Sequence, residues 1–342
     1  MSASDANIPR ILVDGHGGDH APDMVVDALA SLLKKRRGQL HFGIVGISDV
    51  LLPALESRGI ASQVELVPAT EVVDMCEGPA MAVRRKKDSS MHVGARMVRD
   101  GHWDALVSAG NTGALMAISK LILKTLPGID RPAIASMIPG VKGGSTLLLD
   151  CGANVDCTSN HLVQFAVMGS CYMKAAEGIE SPRVGVLNIG HEDIKGTDVV
   201  KVAASELRES PLNFTGNAEG TDIFAGKFDV VVCDGFVGNV ALKAMEGAAG
   251  FIRYHLKHEL TRNPITRAGT LFVRSALQRF RSAIDPDEYN GAPLLGLNGI
   301  VVKSHGSAGS HAYANAIEVA RREVESNLSS MIVDSMNALV TE

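Results

Sequence analysis

Residues 230–247 read VVVCDGFVGNVALKAMEG and combine an apolar run, a Gly-containing turn and a segment with helical spacing. The apolar run ends at Asp234-Gly235, and the chain resumes through Gly238-Asn239 with the spacing of a helix. A short continuous apolar run bounded by turn residues is typical of a strand buried on both faces of a parallel sheet. The stretch therefore predicts a strand, a turn and a helix of an α/β fold. The turn is either a short loop with a helix cap or one wall of a binding site.

The same succession of apolar run, Gly-rich turn and amphipathic stretch recurs along the chain. It is found in ILVD before GHGGDHAPDMVVDALASLLKK, DALVSAG before NTGALMAISKLILK, STLLLD before CGANVDCTSNHLVQFAVMG, RVGVLNIG before HEDIKGTDVVKVAASEL, and GIVVKSHGSAG before SHAYANAIEVARREV. Strands that alternate with helices form a mainly parallel sheet covered on both faces. We therefore predict a layered α/β fold, with a mainly parallel sheet flanked by helices, as a single domain over residues 8–338.

Composition and charge narrow the class of protein. The chain has 342 residues, of which 46% are hydrophobic and 21% are charged, which is typical of a globular enzyme. Its net charge is -5 and it contains no zinc-finger spacing, so nucleic-acid binding is not predicted. The start MSASDANIPRILVDG lacks the basic segment and apolar core of a signal peptide, and no apolar run approaches the roughly 18 residues that span a membrane. We therefore expect a cytoplasmic protein.

The cysteine spacing and the known nucleotide and zinc motifs indicate no cofactor. The five cysteines form no CxxC pair, and we interpret them as reduced thiols. Cys151 follows a predicted strand and is a conceivable nucleophile, although the sequence places no His or carboxylate to activate it. The chain contains no GxxxxGK[ST], no GxGxxG after the first strand and no HExxH. We therefore predict neither a nucleotide nor a zinc ion.

The GHGGDH segment is the strongest candidate for a metal site. Asp14, His16, Asp19 and His20 are possible ligands, but Pro22 at a predicted first helical turn makes Asp19 or His20 an ordinary helix cap. We therefore predict no metal.

The Gly-rich turns are the strongest candidates for a binding site. In open α/β sheets, ligands bind outside the carboxyl ends of the strands, where helix N-termini present free N–H groups to anions. The six candidate turns are residues 15–19, 110–113, 152–154, 190–196, 235–239 and 306–310. We expect them to meet at one anion-binding cleft, unless they are only caps and tight turns.

One segment departs from the charge balance of the chain. Residues 251–284 carry seven basic residues against the single acid Glu259, so this segment holds +6 while the remainder holds -11. Its apolar residues fall on two helical faces separated by Asn263-Pro264, which predicts a protruding helical hairpin over residues 250–285. The first face is Ile252, Leu256 and Leu260, and the second is Val273, Leu277, Phe280 and Ile284. The apolar faces indicate dimer packing, and the basic exterior indicates a surface for an acidic protein or anionic lipid. The two interpretations are compatible.

Seven stretches carry a resemblance to a known family. They are VDGHGGDHAP, DMCEGPAMAVRRKKDSSM, VSAGNTGALM, DCGANVDC, LNIGHEDIKGTD, VCDGFVGNVALK and NGAPLLGLNGIVVKSHGSAG, in that order. Over residues 10–330 the chain resembles the phosphate acyltransferase family of bacterial phospholipid synthesis, the PlsX family. The resemblance implies that a long-chain acyl group on acyl carrier protein is transferred to inorganic phosphate, which gives acyl phosphate and free carrier protein. It also implies a homodimer that needs no redox cofactor, with a hairpin at the dimer contact and a membrane-facing tip.

The resemblance implies roles for individual residues. Lys195 is expected to neutralise phosphate or polarise the carbonyl, and Asn239 to hydrogen-bond phosphate or the oxyanion. The predicted substrate contacts in the turns are Gly17, Gly18, Asp19, Asn111, Thr112, Gly113, Asn154 and His305. The AVRRKKDSS run at residues 82–90 adds Arg84, Lys86, Lys87, Ser89 and Ser90, either as contacts of phosphate or the phosphopantetheine arm or as a solvated face. The predicted contacts for the acidic carrier protein or the membrane are Arg253, Lys257, Arg267, Arg274 and Arg279.

The sequence departs from the family at Gly15-His16, where the family reads Ala-Met, which places a titratable group near the site. Other functions stay open at this point. They are a membrane-surface scaffold without turnover, a short-chain phosphotransacylase and a decarboxylating dehydrogenase on a related layout.

Overall fold

The computed structural model describes residues 8–340, so residues 1–7 of the N-terminal stretch searched for a signal peptide lie outside the described part. Within residues 8–340 the chain forms one sheet of eleven strands and thirteen α-helices. The strands are β1 (Arg10–Asp14), β2 (His41–Gly46), β3 (Val64–Pro68), β4 (Ala105–Ser108), β5 (Ala133–Pro139), β6 (Ser145–Leu149), β7 (Val184–Leu187), β8 (Phe214–Ala218), β9 (Val230–Val232), β10 (Ala292–Leu295) and β11 (Ile300–Lys303).

The helices follow the strands along the chain in most of the connections. They are α1 (Asp23–Lys35), α2 (Ser48–Ser57), α3 (Pro79–Arg85), α4 (Ser90–Arg99), α5 (Thr112–Leu123), α6 (Ser159–Glu177), α7 (Asp198–Glu209), α8 (Asp222–Ala225), α9 (Gly235–Thr261), α10 (Pro264–Phe272), α11 (Arg274–Ile284), α12 (Ser310–Glu325) and α13 (Leu328–Val340). A short 3₁₀ helix over Pro286–Tyr289 follows α11.

The sheet has two parallel halves joined by antiparallel strands. The strand order is β3-β2-β1-β4-β11-β10-β5-β6-β9-β7-β8. Strands β3, β2, β1, β4 and β11 are parallel neighbours, as are β6, β9, β7 and β8. The three pairings in the middle, β11-β10, β10-β5 and β5-β6, are antiparallel. The predicted α/β fold with a mainly parallel sheet is therefore confirmed.

Alternating side chains of the strands build a core on each face of the sheet. In β1, Ile11 and Val13 pack with α1 and α12, whereas Leu12 points to the opposite face and the cluster under α4 and α5. In the second half, Leu148 belongs to this same cluster, and Leu242 of α9 packs against it. Because side chains alternate across a strand, both faces of β1 are apolar, as in a sheet covered by helices on both sides.

The basic segment forms helices that extend from the body of the protein. It consists of the C-terminal part of α9 followed by α10 and α11, and no helix in these three has a fully buried residue beyond the start of α9. The break at Asn263 is as predicted, because its side chain and that of Thr266 form a capping box that starts α10. A second interruption at Val273 was not predicted. Among residues 8–340, no helix combines the length and apolar character needed to cross a membrane.

Candidate active site

The six predicted turns follow strands of two opposite directions, a division that the sequence did not predict. The three antiparallel pairings in the middle reverse the strand direction, so the turns form two groups. The first turn group follows β1, β4 and β11 and consists of residues 15–19, 110–113 and 306–310. The second turn group follows β6, β9 and β7 and consists of residues 152–154, 235–239 and 190–196. Within each group the strands are parallel neighbours, so the turns lie side by side.

Asp150 is the organising residue of the second turn group. Its carboxylate is fully buried and accepts hydrogen bonds from the N–H groups of Ile134, Ala153 and Asn154 at 2.7–3.0 Å. Burial raises the pKa of Asp150, and these hydrogen bonds oppose the rise. A Cβ atom on Gly238 would lie 1.9 Å from the Asp150 carbonyl oxygen, so only glycine allows α9 to start this close to β6.

Asn239 lies in the second turn of α9, and it does not cap the helix. The cap is Asp234, whose Oδ1 accepts from the N–H of Val237 at 2.9 Å. The Asn239 side chain lies against Gly152, where an added Cβ would be 3.5 Å from the Asn239 Cγ atom. Its amide forms no side-chain hydrogen bond with residues 8–340, and the residue is exposed. The amide is therefore available to a ligand.

Lys195 lies in the loop between β7 and α7. The loop is held by Asn188, whose Nδ2 donates to the Lys195 carbonyl oxygen at 3.2 Å, and by the Lys195 N–H, which donates to Glu192 at 3.0 Å. The Lys195 side chain is exposed and pairs with no carboxylate of the described residues 8–340. Because β9 and β7 are parallel neighbours, the segments that follow them, which carry Asn239 and Lys195, begin at the same edge of the sheet. The second turn group thus contains an available amide and an ammonium without a carboxylate partner among residues 8–340.

The turns of the first turn group are in direct contact. A Cβ atom on Gly17 would lie 2.6 Å from the Gly110 nitrogen, so glycine is required where these two turns meet. The Asp19 N–H donates to the Gly306 carbonyl oxygen at 2.8 Å, which joins the turns after β1 and β11. His305 is exposed, and its ring Nδ1 lies 2.8 Å from the Ser307 hydroxyl.

The predicted contacts Asn111 and Asn154 have their side-chain amides engaged within the protein. Asn111 Nδ2 donates to the carbonyl oxygens of Met75 and Glu77 at 2.8 and 2.9 Å, and its Oδ1 caps α5. Asn154 Nδ2 donates to Pro132 at 2.8 Å and to the Asp150 carboxylate at 2.9 Å. The open groups at the start of α5 are therefore the exposed Thr112 and Gly113.

Most of the polar groups in the run at residues 84–90 are also engaged within the protein. The Lys86 ammonium pairs with carboxylates of the preceding loop at 2.7 and 3.4 Å. Ser89 and Ser90 are buried, and Ser89 caps α4 with its hydroxyl. The exposed side chains of the run are those of Arg84, Arg85 and Lys87. The run is therefore held in place by internal contacts and leaves three cations at its surface, of which Arg84 and Lys87 were predicted as contacts.

Cys151 and His16 are both engaged inside the protein. Burial raises the pKa of the Cys151 thiol far above its ordinary value, and its Sγ lies 3.3 Å from the Leu148 carbonyl oxygen. An activated thiolate would need the opposite shift. Burial lowers the pKa of His16, and its ring Nε2 accepts from the Ile47 N–H at 2.9 Å, next to the start of α2. The ring of His16 therefore serves packing in this structure.

Lys303 at the end of β11 is a functional candidate that sequence reasoning missed. It is only 7% exposed, and its ammonium donates to the carbonyl oxygens of Ala109 and Ser304. Burial lowers its pKa to about 8, Asp14 and Asp19 oppose that shift, and Lys243 adds to it. Lys243 lies on α9 one turn beyond Asn239, so α9 brings the second turn group towards the first. The signal in the sequence was a lysine at the end of an apolar run.

The basic helical segment encloses a groove and exposes its charges. The groove measures about 810 Å³ between α9 and the α10–α11 pair, and its walls include members of both predicted apolar faces, such as Leu256 and Phe280. All five residues predicted to contact a partner are exposed, namely Arg253, Lys257, Arg267, Arg274 and Arg279. On α10, Ile265 and Phe272 are 82% and 91% exposed. The segment thus presents apolar and basic surface together.

Several solved structures share the α/β fold of this chain. A phosphotransacetylase from Streptococcus pyogenes aligns with a TM-score of 0.58 at 21% identity, covering 93% of this chain and 94% of that chain. A 4-hydroxythreonine-4-phosphate dehydrogenase from Klebsiella pneumoniae aligns with a TM-score of 0.55 at 15% identity, covering 94% and 99%. At these identities the likeness is one of fold alone.

The family follows from the sequence comparisons. Residues 9–331 match the family model described as "Fatty acid synthesis protein", and the chain belongs to this family. A phosphate acyltransferase from Alkalilimnicola ehrlichii is 52% identical over 332 residues, which is 96% of each chain. One from Magnetococcus marinus is 52% identical over 334 residues, 96% of this chain and 95% of the relative. The resemblance indicated by the seven sequence stretches is therefore confirmed.

Proposed function

We infer that this protein is a phosphate acyltransferase of phospholipid biosynthesis. It transfers the acyl group of long-chain acyl-[acyl carrier protein] to inorganic phosphate and releases acyl phosphate and free acyl carrier protein. The observation that carries this proposal is the pair of available groups, the Lys195 ammonium and the Asn239 amide, in the segments that follow two adjacent parallel strands. Relatives about half identical over nearly the whole chain bear the name phosphate acyltransferase, which supports the same reaction here.

The reaction needs positioning and electrostatic stabilisation more than covalent help. A phosphate oxygen attacks the thioester carbonyl carbon, the new C–O bond forms, and the C–S bond breaks to release the thiolate, which then takes up a proton. Between these events the carbonyl oxygen carries negative charge. We propose that the Asn239 amide donates to this oxyanion and that the Lys195 ammonium neutralises the phosphate. The buried Asp150 holds the turn that lies against Asn239, and the half-buried Asn188 holds the backbone of Lys195.

The remaining predicted contacts divide into two roles. We propose that the first turn group binds phosphate through the N–H groups of Gly17, Gly18, Thr112 and Gly113, with Asp19, His305, Arg84 and Lys87 at its margin. Asn111, Asn154, Lys86 and Ser89 act on substrate through the turns that they hold, because their side chains already have protein partners. Ser90 belongs with them because it is buried and its N–H donates to the Glu71 carbonyl oxygen. No cofactor or metal takes part in this scheme.

We propose that residues 8–338 form one catalytic domain, with residues 250–285 as a helical insertion that serves assembly and docking. The apolar groove and the exposed apolar side chains of the insertion favour packing against a second copy, which makes a homodimer. The exposed arginines of the same segment favour the acidic carrier protein and transient contact of a cytoplasmic enzyme with an anionic membrane surface.

Thiol release from acyl carrier protein tests the proposed function. The purified protein is mixed with a long-chain acyl-[acyl carrier protein], with and without phosphate, and free thiol is followed over time. We expect release only with phosphate, no requirement for a nicotinamide cofactor, and much slower release from acetyl-coenzyme A. A matched pair of variants, Lys195→Ala and Lys201→Ala, compares the loop lysine with an exposed lysine on α7. Release that ignores phosphate, or that prefers acetyl-coenzyme A, would contradict the proposal.

A further inference from the structure

Lys303 is a buried cation at the meeting point of three strand ends. Strands β1, β4 and β11 are parallel neighbours, and they end at Asp14, Ser108 and Lys303. The Lys303 ammonium donates to the carbonyl oxygens of Ala109, at 3.3 Å, and Ser304. These carbonyls belong to the residues that begin the turns after β4 and β11. Lys303 therefore ties together two of the three turns of the first turn group.

The positive charge of Lys303 has no paired carboxylate. Among residues 8–340, no Asp or Glu forms a salt bridge with it. The nearest strand-end acid, Asp14, is itself buried, and its two oxygens accept from the Ser108 hydroxyl at 2.7 Å and from the His16 N–H at 3.1 Å. A buried charge without a direct counter-ion is costly unless a ligand of opposite charge pairs with it. The carbonyl oxygens that accept from Lys303 carry no formal charge, so they do not neutralise its ammonium.

The charged groups near Lys303 affect how strongly its charged form, and hence an anionic ligand, is favoured. Asp14 of β1 and Asp19 of the following turn stabilise the charged form, and Lys243 of α9 destabilises it. Tyr313 of α12 faces the same strand ends, and its hydroxyl donates to the Val107 carbonyl oxygen at 3.1 Å. The Lys243 ammonium pairs with Glu246 at 2.7 Å, so the Lys303 ammonium is the cation of this pair that lacks a carboxylate partner in the described part of the chain. A dianion that approaches Lys303 is attracted by its charge and favours the charged form of the side chain.

We propose that Lys303 is a positioning residue for phosphate. Its charge attracts the anion to the first turn group, and its hydrogen bonds hold the turns whose N–H groups bind the anion. This inference rests on the proposed function, because phosphate is the substrate of that reaction. It goes further in assigning to the phosphate at the first turn group a buried cation, Lys303, that the proposed function does not use. The acyl thioester then approaches from the second turn group.

Phosphate binding and steady-state kinetics of two substitutions test the role. In Lys303→Met the charge is removed, and we expect the KM for phosphate to rise roughly tenfold or more while the KM for the acyl carrier substrate is unchanged. In Lys303→Arg the charge is kept, and phosphate binding should be largely retained. Lys35→Met, at the exposed end of α1, is the matched control. A Lys303→Met protein with the phosphate KM of the wild type overturns the proposal.

A structural role alone would give a different result. Lys303→Met would then lower the melting temperature and kcat, but the shift in melting temperature caused by added phosphate would stay as large as in the wild type. The pH profile adds a second readout. Wild-type kcat/KM for phosphate should fall as the pH rises through about 8, where Lys303 loses its proton. The pH profile of Lys303→Arg should lack this alkaline fall, because the guanidinium stays charged. An alkaline limb that persists unchanged in Lys303→Arg overturns the assignment.

Calorimetry on the unaltered protein keeps the inference testable if both variants fail to fold. Inorganic phosphate is already a dianion at about pH 8, so any proton taken up on binding belongs to the protein. We expect phosphate binding at that pH to take up protons, as shown by heats that differ between buffers of different ionisation enthalpy. Binding without proton uptake overturns the proposal about Lys303. Absence of phosphate-dependent thiol release in the wild type would instead contradict the proposed function.

Discussion

Substitution of Asn239 by Ala or Asp separates a role in catalysis from a role in helix structure. Asp234 is the cap of α9, so removing the Asn239 amide leaves the cap hydrogen bond to Val237 in place. The amide also has no side-chain partner among residues 8–340 that would be lost. The structure therefore predicts that loss of the Asn239 amide lowers activity but does not lower stability.

The expected magnitudes follow from these contacts. Loss of one donor to a developing oxyanion costs about 2.7–4 kcal/mol, or roughly a hundred- to a thousandfold in kcat. Alanine is the best helix former, and asparagine is up to about 0.7 kcal/mol worse at an exposed helical position. Asn239→Ala should therefore lose activity on that scale while its melting temperature is unchanged or slightly higher. Asn239→Asp should be comparably inactive, because a carboxylate accepts where the amide donates.

Phosphate-dependent thiol release and thermal melting together decide between the roles. Asp234→Ala is the converse variant: it removes the cap and should lower stability by about 0.5–2 kcal/mol. If Asn239→Asp keeps wild-type activity, the amide does not donate to the oxyanion and the catalytic assignment is wrong. A large loss of stability in Asn239→Ala would show instead that the side chain holds α9 against β6.

Three further predictions concern other parts of the molecule. Lys195→Ala should lose at least as much activity as Asn239→Ala and remain folded, as circular dichroism would check. Reversal of Arg274 and Arg279 to Glu should weaken binding to acyl carrier protein and to anionic vesicles, most strongly at low salt, whereas Arg37→Glu should not; unchanged binding would leave the dimer contact as the role of the segment. Because only neutral His16 can accept from its backbone partner, its contribution to stability is fully present above a pH of about 6.5 and declines below it. His16→Met should reduce this acid-side slope in denaturant unfolding, and equal slopes would contradict the assignment.

The fold class was predictable because local periodicity determines it. Each apolar run followed by a Gly-rich turn is a strand in the structure, including β9 at the beginning of the opening stretch. Strand direction was not predictable in this way. The reversal arises from the three antiparallel pairings in the middle of the sheet, which depend on partners far apart in sequence, such as Leu295 with Ala133. The turns predicted to meet at one cleft are therefore carried by two oppositely directed sets of strands.

Site residues could be predicted where they belong to a recognisable turn motif. They could not be predicted where their role depends on burial or on hydrogen bonds within the protein. Lys195 and Asn239 were proposed from the family resemblance, and each lies in the segment that follows one of two adjacent parallel strands. By contrast, the sequence could not show that the Asn111 and Asn154 amides are already engaged. Nor could it show that Lys303 is buried, since its environment comes from three separate strands.

The measurement that tests the central claim most directly is the identity of the acyl product. Wild-type protein is incubated with long-chain acyl-[acyl carrier protein] and phosphate, and acyl phosphate is quantified by phosphorus NMR beside the free thiol. The account predicts that acyl phosphate and thiol appear in equal amounts, and that Asn239→Ala loses both together. Thiol release accompanied by free fatty acid in place of acyl phosphate would contradict it, because water rather than phosphate would then be the nucleophile.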